Sequence, residues 1–111
     1  MAKKKQAQPT DQKVSVEVTG GIRRASISID AVPIPLKPTS DGFRGSKTVT
    51  LEPPTITAVW AVKGGRNADF DFEVTINDKT QSILGALKNE GVKSDTEIWK
   101  FSDFGLEEDE E

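Results

Sequence analysis

Three acidic residues in the run DFDFEVTI have a spacing that could do chemistry. Asp69, Asp71 and Glu73 stand at i, i+2 and i+4, so in a strand their carboxylates project from one face. Such a row could bind Ca²⁺ or supply a general acid and a general base. The chain offers no EF-hand loop or comparable ligand spacing, so we favour the solvent face of an amphipathic strand with cross-strand pairing to Lys or Arg. We predict no metal, no catalytic residue and no cofactor.

The segment KGGRN at 63–67 is a second candidate site. The backbone N–H groups of adjacent glycines can form an anion-binding nest, to which Lys63 and Arg66 would add positive charge. The segment lacks the strand–loop–helix setting and the GK[ST] ending of a phosphate-binding loop. We therefore favour a hairpin turn between two long strands, and we keep Lys63 and Arg66 as candidate binding residues.

Four further residues are candidate contacts with a partner. Trp99, in TEIWKF, lies either in the core or on the surface, where a Trp can stack on a sugar ring or anchor a protein. Phe101 follows it in the same segment. Arg23 and Arg24 are consecutive in a predicted strand and would point to opposite faces. They sit either at a charge-paired edge or against a carboxylate or phosphate of a partner.

The residue inventory is thin for an enzyme. The 111-residue chain has no Cys, no His and no Tyr. This excludes disulfides, zinc and haem sites with nitrogen or sulfur ligands, cysteine nucleophiles and histidine-based acid–base schemes. Carboxylates, Lys, Ser and Thr remain as chemical groups. We predict that the protein is not an enzyme.

Charge is concentrated at the two ends of the sequence. The formal net charge is −3 from 15 basic and 18 acidic residues, with MAKKKQ opening the chain and GLEEDEE closing it. The middle is near neutral, so we expect no nucleic-acid partner. No window approaches the length of a membrane span, and the polar QAQPTDQ follows the basic start where a signal peptide needs apolar residues. We expect cytoplasmic residence, or export by a route without an N-terminal signal.

Alternating apolar and polar residues predict one mainly all-β domain. Residues 1–12 are predicted as a disordered basic arm, 13–104 as the folded domain and 105–111 as a disordered acidic tail. Gly20 and Gly21 predict a two-residue hairpin between KVSVEV and IRRASISI. TITAVWAV is apolar on both faces, which is typical of a central strand covered from both sides.

Prolines and glycines divide the rest of the chain. In VPIPLKP, at 32–38, the prolines cannot donate to a ladder, so the segment belongs at a sheet edge or leaves the sheet. The Asp-Gly pair in TSDGFRG predicts a turn. Asp78 and Gln81 stand at capping-box spacing, so we predict a short helix over 79–90. Its apolar face would comprise Ile83, Leu84 and Leu87. The segment 95–104 fits either another helical turn or a last strand.

Short strands separated by Gly/Pro turns predict an antiparallel β-sandwich, immunoglobulin-like or prealbumin-like, with one short C-terminal helix. The segment ASISIDAVPIPLKPTSDGFRGSKTVTLEPPTITAVWAVKG, at 25–64, resembles the prealbumin-like modules of the carboxypeptidase regulatory-like and PEGA type. It shares their order of a strand with a short turn, an Asp-Gly turn, a strand, a corner and a strand ending in Lys-Gly, with EPPT in place of their usual Pro-Gly corner and following aromatic. The resemblance implies a non-catalytic module for interaction or domain support, and it carries over no functional residues.

The leading functional hypothesis is a non-enzymatic protein-binding or assembly module that presents a sandwich surface or a sheet edge to a protein partner. The contact would come from edge 32–38 or from 95–104, with Trp99 and Phe101 as aromatic anchors. A small carbohydrate-binding protein is the second hypothesis, and it depends on an exposed Trp99. A structural component of a virus or secretion apparatus is the third. We expect no membrane partner.

Overall fold

The structure, a computed structural model, describes residues 9–87, 89 and 91–106. Strands make up most of the described chain, which ends in one 3₁₀ turn, and this follows from the period-2 alternation along most of the sequence. The elements are β1 (Thr10–Gly20), β2 (Ile22–Ile29), β3 (Val32–Pro33), β4 (Lys37–Pro38), β5 (Gly42–Leu51), β6 (Thr55–Gly64), β7 (Asp69–Ile76), β8 (Lys79–Ala86), β9 (Val92–Lys100) and the 3₁₀ turn (Phe101–Phe104).

The strands form two antiparallel sheets. Sheet A has the order β4-β5-β1-β7-β8, and sheet B has the order β3-β2-β6-β9. The predicted all-β sandwich is confirmed. No helix in the described residues is long and apolar enough to cross a membrane.

The core lies between the sheets and is built from the inward residues of each alternating strand. The ring centroid of Trp60, on β6, lies 5.3 Å from that of Phe70 and 5.4 Å from that of Phe72, both on β7. The buried residues of the described chain are all apolar. Each large side chain that leaves water in this way contributes about 1.5–3 kcal/mol, which explains how a chain of this size folds without disulfides.

The prediction of a hairpin at Gly20–Gly21 is wrong, and so is that of a hairpin at 63–67. β1 pairs with β5 and β7 in sheet A, whereas β2 pairs with β3 and β6 in sheet B. The 63–67 segment likewise joins β6 of sheet B to β7 of sheet A. The glycines allow two crossing segments of the backbone to pack closely, because a Cβ on Gly21 would stand 2.8 Å from the Cβ of Ala68. A local turn signal does not reveal whether the next strand pairs with the last or changes sheet.

The predicted helix over 79–90 is wrong as well, because β8 occupies Lys79–Ala86. Asn77 and Asp78 both have positive φ, of 55° and 63°, as a two-residue hairpin turn between twisted strands requires. Ile83 pairs with Phe72 and is buried, while its neighbour Leu84 is 72% exposed. Residues 79–86 therefore follow the alternation of a strand. Asp78 and Gln81 belong to a hairpin and not to the start of a helix.

Each of the two alternatives for 95–104 holds for part of the segment: β9 continues to Lys100, and the 3₁₀ turn occupies Phe101–Phe104. The edge prediction for 32–38 is confirmed, since β3 ends the order of sheet B and β4 that of sheet A. The predicted turn at 39–42 is also confirmed, with the Thr39 backbone N donating to Gly42 O at 2.7 Å. β1 begins at Thr10, so residues 10–12 belong to a strand and not to the arm. Residues 1–8 and 107–111 lie outside the described part.

Three connections that pass from one sheet to the other meet at one end of the sandwich, which we call the crossing end. They are residues 20–22, 64–69 and 86–92. Backbone hydrogen bonds tie them together: Gly65 N donates to Gly21 O at 3.2 Å, Gly64 N to Gly91 O at 2.9 Å and Leu87 N to Ala68 O at 2.7 Å. The backbone itself therefore closes this end.

At the opposite end, which we call the hairpin end because the β2–β3 and β7–β8 turns lie there, side chains add to a backbone hydrogen bond from Phe101 N to Pro54 O at 3.0 Å. Asn77 Nδ2 donates to Phe104 O at 2.9 Å, and Gln81 Nε2 donates to Asp103 O at 3.0 Å. The β7–β8 hairpin of sheet A is thus tied to the 3₁₀ turn that follows β9 of sheet B. In the same end, Asp30 Oδ1 accepts from Thr57 N at 2.9 Å.

Candidate protein-binding face

The acidic residues of β7 form an open row on the polar face of their strand. Asp69, Asp71 and Glu73 lie on the outward face of sheet A, about 6.8 Å apart at successive positions along the strand. The Cα partner of Glu73 on β1 is Glu17, and that of Asp71 is Thr19. No three His, Cys, Asp or Glu side chains of the described residues are close enough together to hold a metal ion. The row is a set of separate carboxylates on a polar face.

The 63–67 segment does not form an anion nest through its glycines. The N–H group of Gly64 already donates to Gly91 O, and that of Gly65 donates to Gly21 O. These donors close the sandwich and are not directed at a ligand. The side chains of Lys63 and Arg66 are exposed, so any anion recognition here comes from side-chain charge.

Trp99 and Phe101 are buried, with 6% and 1% of their surface exposed. Trp99 is the Cα partner of Ile56 and faces the core, and its ring packs edge-on against Phe104 of the 3₁₀ turn at 5.5 Å. Burial favours the core interpretation of both residues over the aromatic anchor. The chain has seven aromatic residues, five Phe and two Trp; all lie in the described part, and none is among its exposed large apolar side chains.

A β-bulge explains the exposure of both Arg23 and Arg24. Ile22 pairs with Gly64 and Arg24 with Lys63, so Arg23 is an extra residue without a Cα partner on β6. A bulge interrupts the alternation and turns the strand locally. Both side chains are therefore exposed, where a regular strand would direct one of them toward the core. Arg24 and Lys63, predicted separately as binding residues, become direct cross-strand neighbours.

The outward face of sheet B is unusual in its small and exposed aliphatic side chains. Val59, on β6, is 50% exposed, and Ile98, on β9, is 63% exposed. The strand registers align three rows across β2, β6 and β9. The rows are Arg24–Lys63–Val92, Ser26–Ala61–Ser94 and Ser28–Val59–Thr96. Small side chains form the middle row, which leaves the sheet backbone accessible to a partner.

An open groove of about 760 Å³ follows the first two of these rows. Ser26, Ala61 and Ser94 form its floor, and Arg24 and Lys63 line its end toward the crossing end. β9 is the last strand in the order of sheet B, so one side of its backbone has no strand partner among the described residues. The groove thus adjoins a nine-residue edge strand.

The two outward faces of the sandwich carry opposite charge. On the long strands of sheet B, the described residues at outward positions include Arg24 and Lys63 but no carboxylate. The outward positions of sheet A include five carboxylates, against Lys13, Lys37 and Arg44. These carboxylates are Asp11, Glu17, Asp69, Asp71 and Glu73. An anionic segment is therefore attracted to the sheet B face and repelled by the sheet A face.

The sequence prediction named Lys63 and Arg24 as separate binding residues and missed Val59, Ala61 and Val92. The signal that the prediction misread was the presence of apolar residues on both faces of the strand TITAVWAV. They predict a strand covered from both sides, but Val59 is half exposed, so no described element covers the outward side of β6. Apolar residues at outward positions mark an uncovered face as well as a buried strand.

No protein-family profile, curated protein or solved structure matches this chain.

Proposed function

We propose that the protein is a non-enzymatic protein-binding or assembly module, which takes an extended segment of a partner into the groove on the outward face of sheet B. The observation that carries the proposal is the exposure of Val59, Val92 and Ile98 beside a floor of small side chains. The segment would carry small or aliphatic side chains over the floor and carboxylates near Arg24 and Lys63.

Burial of these aliphatic side chains provides the driving force. Apolar surface removed from water contributes about 25 cal/mol per Å², and Val59, Val92 and Ile98 lie on adjacent strands where one segment can cover them. The edge of β9 offers main-chain hydrogen bonds to a segment that runs alongside it. Lys93, Asp95 and Glu97 occupy the inward positions of β9 and are exposed. Charges at such positions disfavour indiscriminate pairing of an edge strand, so the edge selects its partner.

The alternative hypotheses have less support. A sugar-binding site of the expected kind needs an exposed aromatic ring, and Trp99 is buried. A structural role in a virus or secretion apparatus is a special case of the assembly function and stays a prediction. The immunoglobulin-like or prealbumin-like assignment and cytoplasmic residence also stay predictions, and the resemblance at 25–64 agrees with an interaction module.

The test compares two exposed aliphatic residues on the two sheets. Ile98→Asp places a carboxylate on the sheet B face, and Leu84→Asp makes the same change on the outward side of β8 in sheet A. Both positions are exposed edge-strand sites, so neither variant should lose much stability. Tagged full-length protein and both variants would be used to capture proteins from lysate of the source organism, with quantification by mass spectrometry.

We expect Ile98→Asp to reduce capture of a specific protein at least about tenfold, because a partner segment that runs from the groove along β9 covers Ile98 and would leave the new charge buried and unpaired. Leu84→Asp should leave capture unchanged. Equal loss in both variants, with unfolding curves that match the parent, would move the interface away from the sheet B groove. Capture that neither variant alters would remove the outward face of sheet B from the proposal.

A further inference from the structure

Five exposed cations surround the crossing end and form what we call the basic rim. They are Arg23, Arg24, Lys63, Arg66 and Lys93. Arg24 and Lys63 are direct cross-strand partners on the outward face, and the third position of their row is Val92. Like charges directly opposite each other destabilise a sheet. Among the described carboxylates, Asp41 and Asp69 stand at or just before the start of sheet A strands, and Asp95 lies two residues along β9 from Lys93. Cations therefore outnumber carboxylates among the described side chains on the sheet B side of the rim.

An acidic segment follows the domain at the other end of the molecule. Leu106 N donates to Phe101 O at 3.0 Å, so the described chain finishes beside the 3₁₀ turn at the hairpin end. The next five residues of the sequence are all acidic: Glu107, Glu108, Asp109, Glu110 and Glu111. The basic rim lies at the crossing end, whereas the acidic run starts from the hairpin end.

The acidic run is too short to reach the rim of its own molecule. Five extended residues span at most about 18 Å. β9 alone covers about 23 Å between Lys93 and Lys100, and Leu106 lies past Lys100 at the far end. The backbone of residues 107–111 therefore cannot reach the rim of its own molecule, and contact of the whole run with a rim requires a second molecule.

We propose that the acidic run 107–111 of one molecule binds the basic rim and the adjoining groove end of a second copy, so that copies associate head to tail. The inference rests on the proposed function, since it uses one end of the same groove, and it names a second copy as a partner. The contact joins two different surfaces and does not close on itself, so it builds chains and not only dimers. It relies on exposed charges and is therefore sensitive to salt.

The experiment uses full-length chains with exchanged charges. The rim variant carries Arg24→Glu, Lys63→Glu and Lys93→Glu, and the tail variant replaces residues 107–111 with Lys. Each variant then presents like charge at both binding segments. The weight-average mass of each would be measured by sedimentation at protein concentrations up to about 1 mM, since exposed charge pairs are individually weak.

At low salt we expect the mass of the parent protein to rise above the 12.1 kDa of one chain as concentration increases. It should return to one chain at about 1 M salt, where charges are screened beyond about 3 Å. Each variant alone should remain a single chain. An equimolar mixture of the two should associate again, because the lysine tail meets the acidic rim and the acidic tail meets the basic rim.

Three results would overturn the proposal. A parent protein that stays monomeric shows that the run does not bind the rim. Association of the rim variant alone shows that the acidic run binds elsewhere, with the lysines at 3–5 as the obvious site. Association of both variants separately indicates a contact that uses other charges, such as the carboxylates on sheet A. The Ile98→Asp capture test reports on the groove face independently, so the two proposals can fail separately.

Discussion

The crossing end and the hairpin end solve the same problem by different means. Each must hold sheet A against sheet B where strands finish and unpaired backbone groups accumulate. The crossing end does so with backbone groups of Gly21, Gly64, Gly65 and Ala68. The hairpin end has a backbone hydrogen bond from Phe101 N to Pro54 O and relies in addition on side chains, of which Asn77 donates to the carbonyls of Phe104 and Gly105.

The difference determines where the molecule can carry function. At the hairpin end the polar side chains are used for structure, so replacing them weakens the fold. At the crossing end the backbone makes the connections, and the side chains of Arg24, Lys63 and Arg66 are left exposed. A binding rim can therefore be built there at only the small cost of like charges opposite each other, as at Arg24 and Lys63. The crossing end should be intolerant of added backbone bulk and tolerant of altered charge, and the hairpin end should show the reverse.

The largest effect is expected for Gly64→Ala at the crossing end. A Cβ on Gly64 would overlap the carbonyl oxygen of Gly21, and that oxygen also accepts the Gly65 N–H. Backbone on both sides prevents an easy adjustment, so we expect a loss of about 3 kcal/mol in the free energy of unfolding. Urea denaturation followed by Trp fluorescence would measure it.

Gly65→Ala is the matched control, one residue along the chain. No atom outside its chain neighbours lies within 4 Å of a Cβ built at Gly65. This variant should match the parent within about 0.5 kcal/mol, or gain slightly from the lower entropy of its unfolded chain. Equal losses for the two variants would show that the KGG segment responds to any substitution and would remove the steric explanation.

An intermediate effect is expected for Asn77 at the hairpin end. Asn77→Ala removes the two hydrogen bonds to the 3₁₀ turn and places Ala at a φ of 55°. We expect a loss of about 2 kcal/mol, of which about 1 comes from hydrogen bonding and about 1 from the left-handed backbone. Asn77→Gly loses the hydrogen bonds but accepts the backbone conformation, so it should lose about half as much. If Asn77→Gly lost as much unfolding free energy as Asn77→Ala, the left-handed backbone would make no contribution to the loss.

Much of the fold could be predicted from the sequence, because alternation is a local property. The Phe70–Ile76 alternation, the edge position of 32–38 and the Asp-Gly turn follow from side-chain period and proline chemistry. The sheet assignment of each strand does not, because Gly20–Gly21 and Asn77–Asp78 look alike as turn signals. The first joins different sheets and the second joins neighbours. Only packing of the whole core distinguishes them.

The candidate site was less predictable, since it depends on which strands become neighbours. Lys63 and Arg24 were identified by charge, but 35 positions separate Ser26 from Ala61 and β9 is still farther along the chain. The groove floor of Ser26, Ala61 and Ser94 exists only once β2, β6 and β9 are in register. Trp99 was the more conspicuous residue in the sequence, yet it faces Ile56 and is buried. Residue type alone cannot tell which side of a strand is covered.

The smallest effect, and the one that tests the crossing end most directly, is a gain in stability from Arg24→Glu. The change replaces a cation opposite Lys63 with an anion, so we expect the free energy of unfolding to rise by about 0.2–1 kcal/mol at low salt. Most of the gain should disappear at about 1 M salt. Arg23→Glu, in the bulge and without a cross-strand partner, should change stability less. Paired urea titrations of both variants at low and high salt would measure this. A loss of stability in Arg24→Glu would mean that the arginine supports the fold, and the crossing end would then resemble the hairpin end in using its side chains for structure.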